Sequence, residues 1–234
     1  MRKNRMMRAA SALLVAVLMT TCTISGTFAK YVTSADSTDT ARVAKWGVTV
    51  TATVDGAFAT EYDAKAPVVN DYNGDPINKT VVSSTSDNLV APGTGGTLAT
   101  TTITGQPEVA VNVKKEATLV LDGWTTDGSD VYCPIVFDVN GTKYYIGADV
   151  GGVITTVSDL ITKVEAAVEC DKNYQAKTNL ATTDDVTVTW AWEFEGTTVP
   201  SQNDVNDTAL GNRSAAGNAA TIKFTLETTV TQID

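Results

Sequence analysis

The chain has 234 residues, with 27 acidic side chains against 17 basic ones, no histidine and a formal charge of −10. Without histidine it cannot carry a Ser-His-Asp or Cys-His nucleophilic site, nor a zinc site of the His-Glu-x-x-His kind. The acidic balance argues against nucleic acid or an anionic membrane surface as a partner, because both would repel it.

Residues 1–29 read as an export address. Arg2, Lys3, Arg5 and Arg8 form a basic segment, and Leu13 to Met19 is an unbroken apolar core. Thr27-Phe28-Ala29 then places small residues at the −3 and −1 positions of a cut between Ala29 and Lys30. That is the layout of a secretory signal peptide. The apolar run falls short of the ~20 residues that span a bilayer comfortably, although an uncleaved tether is the alternative on that criterion. Met19-Thr20-Thr21 before Cys22 is a poor context for lipidation. The segment holds four of the 17 basic residues and none of the acidic ones, so the exported remainder carries −14. The expectation is a secreted protein, extracellular or on the cell surface, with no stable membrane anchor after cleavage.

Residues 30–44 form a polar arm of Thr, Ser, Asp and Ala without Gly or Pro; Tyr31, Val32 and Val43 are its larger apolar members. Trp46, Val48, Val50, Ala52 and Val54 then alternate with Gly47 and threonines, which predicts a half-buried strand. This junction, Gly26 to Val50, resembles that of exported Gram-positive proteins cut by the SipW-type signal peptidase, the TasA and camelysin fibre proteins among them. Ala91 to Gly96, APGTGG, is similar to the Pro-Gly-Asp turn those proteins place before a core strand, with Thr94 in place of the Asp. The resemblance implies processing by that peptidase at Ala29 and Lys30. It also implies a homopolymer in which the arm freed by cleavage adds as a strand to the neighbouring subunit. Metalloprotease activity described for camelysin-type proteins has no histidine here to support it.

From Asp63 to Gly96 the sequence is rich in breakers, with a short strand at Thr80–Ser83. Asp71, Asn73 and Asp75 have the alternating spacing that opens a calcium loop. Pro76 and Val82 then occupy the Gly and bidentate Glu positions of an EF-hand, so a solvated turn is the competing reading. Asp204, Asn206 and Asp207 form a second such cluster. No other cofactor is expected. Further strands are predicted at Gly96–Thr104, Glu108–Val113 and Ala117–Leu121, with turns at Gly105-Gln106-Pro107 and Lys114-Lys115-Glu116.

Val131–Val139 and Thr142–Ile146 flank Asn140-Gly141, the pair a type I′ hairpin requires. Val157, Ile161, Val164 and Val168 recur at helical spacing, with Leu160 and Ala167 widening the stripe. Thr156 and Asp159 stand in capping-box positions. Cys133 and Cys170 either form a disulfide, which export permits, or remain free and buried. Val186, Val188, Trp190, Trp192 and Phe194 share one face of a strand, as a core stripe or as a carbohydrate platform. Thr197–Asn218 reads as a polar loop. A last strand carries Ile222, Phe224, Leu226, Thr228 and Val230, followed by no hydrophobic tail and no Leu-Pro-x-Thr-Gly signal, so no covalent wall anchor is expected.

The sequence therefore predicts a mainly β fold: a jelly-roll-type β-sandwich over residues 45–234 with a hairpin-helix insertion at about 131–170. The expected role is non-enzymatic, a structural protein of the cell surface, extracellular matrix or biofilm, and a fibre subunit. A monomeric envelope adhesin or ligand-binding module is the second reading, and a carboxylate-dependent hydrolase the third.

Overall fold

A computed structural model describes residues 41–63, 80–85, 87–126, 131–181, 184–193 and 198–233. The chain divides after Val43, and Ala44–Asp234 is one compact unit. Its fold is mainly β. The strands are β1 (Val48–Asp55), β2 (Glu61–Asp63), β3 (Thr80–Ser83), β4 (Gly95–Gly105), β5 (Val111–Asp122), β6 (Ile135–Val139) and β7 (Thr142–Tyr144). After helix α1 (Val157–Val168) come β8 (Cys170–Tyr174), β9 (Val186–Trp192), helix α2 (Asp204–Ala215) and β10 (Thr221–Gln232).

Two antiparallel sheets carry the architecture. One has the order β1-β4-β9-β6-β7, the other β10-β5-β8; β2 and β3 pair separately. One core joins the two sheets: Leu98, Ile135, Phe137, Val188 and Trp190 of the first sheet cluster with Ala117, Leu119 and Leu121 of the second. In β9, Val186, Val188, Trp190 and Trp192 are all buried. The stripe is therefore core, not a surface platform, because this face of β9 clusters with Ala117, Leu119 and Leu121 of the other sheet. Trp190 donates its indole N–H to the Ala57 carbonyl at 2.6 Å and packs on Phe58 at 5.3 Å. The chain at 56–57 crosses so close to β4 that a Cβ on Gly96 would lie 2.2 Å from the Gly56 oxygen. Glycine there is a steric requirement.

The β6–β7 hairpin has Asn140 and Gly141 at φ +50° and +88°, as a type I′ turn demands. It is not an insertion, however. β6 pairs with β9, and Ile135 and Phe137 are wholly buried in the main core. Helix α1 spans the predicted residues with the predicted Thr156–Asp159 capping box, and buries Leu160, Val164 and Val168. It packs chiefly on β5. β8 pairs with β5 only as far as Lys115; beyond it Glu165 of α1 accepts the Leu119 N–H at 2.8 Å. The helix thus covers a stretch of sheet edge that would otherwise be bare.

Three expectations need correction. Lys114-Lys115-Glu116 is not a turn. β5 runs straight through it, with Lys114 and Glu116 paired outside at 2.7 Å and Lys115 pointing inward, 1% exposed. Three consecutive charges mimic a turn in composition, but alternation places two in water and one inside. Thr197–Asn218 is not only loop, since 204–215 is helical, capped by Asn203 and held inward by Leu210. β1 is paired to β4 on one edge only. Its threonines are exposed, Trp46 and Val50 are 40% and 37% exposed, and among residues 48–53 only Val48 is half-buried.

Candidate assembly edge

The least finished part of the sandwich is the side where β10 ends one sheet and β1 ends the other. β10 pairs with β5 over twelve consecutive residues, Thr221↔Asp122 to Gln232↔Val111, without a bulge. Among the described residues nothing pairs with its other side. An edge of that length, with no Pro and no bulge, presents a row of N–H and C=O groups unpaired among the described residues, the arrangement that templates another strand.

Burial tells the same story from the side chains. In β5 the inward residues Val111, Val113, Ala117, Leu119 and Leu121 are buried. In β10 the equivalent row, Ile222, Phe224, Leu226, Thr228 and Val230, is only half-buried, and the outward row is exposed. The apolar stripe thus faces a seam that the described sandwich does not close. Two cavities open along it, of about 410 and 230 Å³, and both are lined by Leu98 and Phe224. The smaller also reaches Ala52 and Thr53 of β1 and Leu226 of β10. The Thr228 and Thr101 hydroxyls are buried and make no hydrogen bond among the described residues.

Beside this edge the charges are few. Lys223 and Glu227 stand on the outward face of β10, and neither forms an ion pair among the described residues. Glu227 lies directly opposite Glu116 of β5, a like-charge neighbour whose repulsion Lys114, paired with Glu116 and near Glu227, offsets in part.

The residues singled out from the sequence fall elsewhere. Ala29, Lys30, Asp71, Asn73 and Asp75 lie outside the described residues, and so does Phe194. Asp204, Asn206 and Asp207 do not form a calcium loop: they occupy the first turn of α2, where the Asn206 N–H is held by the Asn203 cap. Asp207 turns inward and accepts the Tyr132 hydroxyl proton. Burial, ahead of its neighbours, raises its carboxyl above the usual range. No group of three His, Cys, Asp or Glu among the described residues is placed to hold a metal ion.

Cys133 and Cys170 are both free thiols. Cys133 is wholly buried in the main core, in the segment that leads into β6, while Cys170 opens β8, directly opposite Lys115. Burial pushes the Cys133 thiol up to about 12. No helix among the described residues is long and apolar enough to cross a membrane.

A polar row at the far side of the second sheet was not anticipated from the sequence. Asp184, nearly buried, accepts from the Lys172 ammonium at 2.8 Å and from the Tyr174 hydroxyl. Burial works against its charge, but these two donors outweigh it and hold the carboxyl below the usual range. Lys115 is the opposite case. Its ammonium makes no hydrogen bond among the described residues, and desolvation lowers its pKa.

No protein-family model, no curated protein and no solved structure matches this chain.

Proposed function

We propose that this chain is a secreted structural protein of the cell surface or extracellular matrix, a fibre subunit whose sandwich is completed by a strand donated from a neighbouring copy. The observation that carries the reading is the seam: a twelve-residue edge of β10 that nothing pairs with among the described residues, above an apolar row left half-exposed. The two antiparallel sheets carry five strands and three, and the reading takes the shorter one to be completed by a further strand beside β10. The donor is the arm, residues 30–44, which has no Gly or Pro and is too polar to form a core alone. Bound to an open edge, its backbone would satisfy the free N–H and C=O groups, as in β-augmentation. Head-to-tail donation does not close on itself and so gives a filament. Cleavage after Ala29 by a signal peptidase of the SipW type would release the arm. No cofactor and no catalytic step are assigned.

The test compares protein beginning at Lys30 with protein beginning at Lys45 by circular dichroism and electron microscopy. Both should fold, and only the longer one should form filaments. Filaments from the shorter chain, or from neither, would overturn strand donation.

A second reading, a monomeric ligand-binding module, is favoured by one feature. A cavity of about 210 Å³ lies between α2 and the Val90–Pro92 turn, lined by Trp124, Trp192, Asp207 and Ser214. The Trp192 indole N–H is buried there and faces the Asp207 carboxyl without a well-formed hydrogen bond.

A further inference from the structure

We infer that β10 is also self-complementary, and that two copies of this chain pair their β10 strands antiparallel about a two-fold axis through Thr225. The inference rests on β10 itself and not on donation by the arm. Centring the pair on Thr225 sets Lys223 opposite Glu227 of the second copy, and by symmetry Glu227 opposite its Lys223. Both side chains stand on the exposed outward face, and neither has an ion-pair partner among the described residues. The second copy's Lys223 would also sit beside the Glu227–Glu116 pair and add to the compensation that Lys114 gives it.

The same register works on the inward face. It puts Phe224 against the second copy's Leu226, and Ile222 against its Thr228, so the apolar row now half-exposed would be covered twice over. Thr221 would face Thr229, and Thr225 its own copy, pairs that suit the exposed side of a sheet. Moving the centre to a neighbouring residue loses both Lys–Glu pairs, so the charges fix the register. The backbone supplies the hydrogen bonds, and the contact is isologous and closed, which gives a dimer instead of a filament. Pairing and donation use one edge. The dimer is therefore the form in which the edge stays covered until a donated strand takes it.

The test uses chain beginning at Lys45, which keeps nearly all of the compact unit Ala44–Asp234 and lacks the arm that competes for the edge, in analytical ultracentrifugation, as wild type, as Lys223→Glu and as Glu227→Lys. Both substitutions are on an exposed strand face, and circular dichroism checks that the fold is kept. Each single reversal turns two attractive pairs into two repulsive ones and should weaken the dimer roughly tenfold or more. Mixing the two variants recreates Glu–Lys pairs at both positions, so a heterodimer should form. As an independent readout, Thr225→Cys places two thiols on the axis and should give a disulfide-linked dimer under mild oxidation, while Thr221→Cys alone should not. A monomeric wild type, single variants that dimerise as well as wild type, a mixture that stays monomeric, or crosslinking by Thr221→Cys alone would each overturn the pairing. Filament formation is scored separately, so a failure here leaves strand donation standing.

Discussion

Trp190 is the side chain on which the sandwich reading depends most, and its removal has a calculable cost. It is 2% exposed, sits in the middle of β9 between Gly96 and Phe137, stacks on Phe58 and donates to the Ala57 carbonyl. Trp190→Ala removes a large buried aromatic, which costs about 3–5 kcal/mol. Trp190→Phe keeps most of the volume but leaves the Ala57 oxygen without its indole donor, at a cost of about 1–3 kcal/mol. Trp46, 40% exposed, is the control, and Trp46→Ala should stay within about 0.5 kcal/mol. Urea unfolding followed by circular dichroism reads all three. With a slope of about 2 kcal/mol/M, Trp190→Ala should lower the midpoint by about 2 M. The reasoning fails if Trp190→Ala shifts the midpoint no more than Trp46→Ala does.

Trp192, 5% exposed, belongs to the same stripe; Trp192→Ala should also cost about 3–5 kcal/mol, read by the same unfolding curve. Lys115→Met should stabilise the protein at neutral pH by about 1–3 kcal/mol, because it replaces a buried ammonium that has no hydrogen bond among the described residues; a loss of thermal stability would contradict this. The Asp184 carboxyl titrates lower in the fold than in the unfolded chain, so its stabilisation is present above about pH 4 and is lost as pH falls through the folded value. Asp184→Asn should therefore flatten the acid side of the stability–pH curve, and an unchanged acid limb would show that the Lys172 contact is idle. Cys133, buried and with its thiol pushed up to about 12, should resist iodoacetamide in the folded protein while Cys170 reacts first. Equal labelling rates, or a Cys133–Cys170 disulfide in the mass spectrum, would contradict the placement.

What the sequence carried, it carried through periodicity and turn chemistry. The β9 stripe, the Asn140-Gly141 hairpin and the Thr156-capped helix are set by local rules that act within a dozen residues, and each stands where those rules put it. Local rules failed where tertiary contacts decide. Lys115 lies inside β5 because its strand is long enough to continue past three charges. β8, with the pattern Cys170-Asp-Lys-Asn-Tyr174, reads as polar, yet β5 pairs with all of it. Helix α2 has one buried anchor, Leu210, and too weak an apolar stripe to be recognised from spacing. The edge was the least visible feature. β9 and β10 alternate alike in sequence, and only the sheet order shows that one is paired on both sides and the other on one. A hint was present in Lys223 and Glu227, charges of a kind often placed on edge strands.

Hydrogen exchange on the segment Thr221–Gln232 shows whether the side of β10 turned away from β5 receives a strand during assembly. In dispersed chains that begin at Lys30 and carry Lys223→Glu, the amides of β10 that point away from β5 should exchange quickly. In filaments of the same chain they should become strongly protected, while β5, already paired with β10 along its whole length, should change little. Filaments whose β10 amides exchange as fast as those of the dispersed chain would contradict the account and would place the growing contact elsewhere on the molecule.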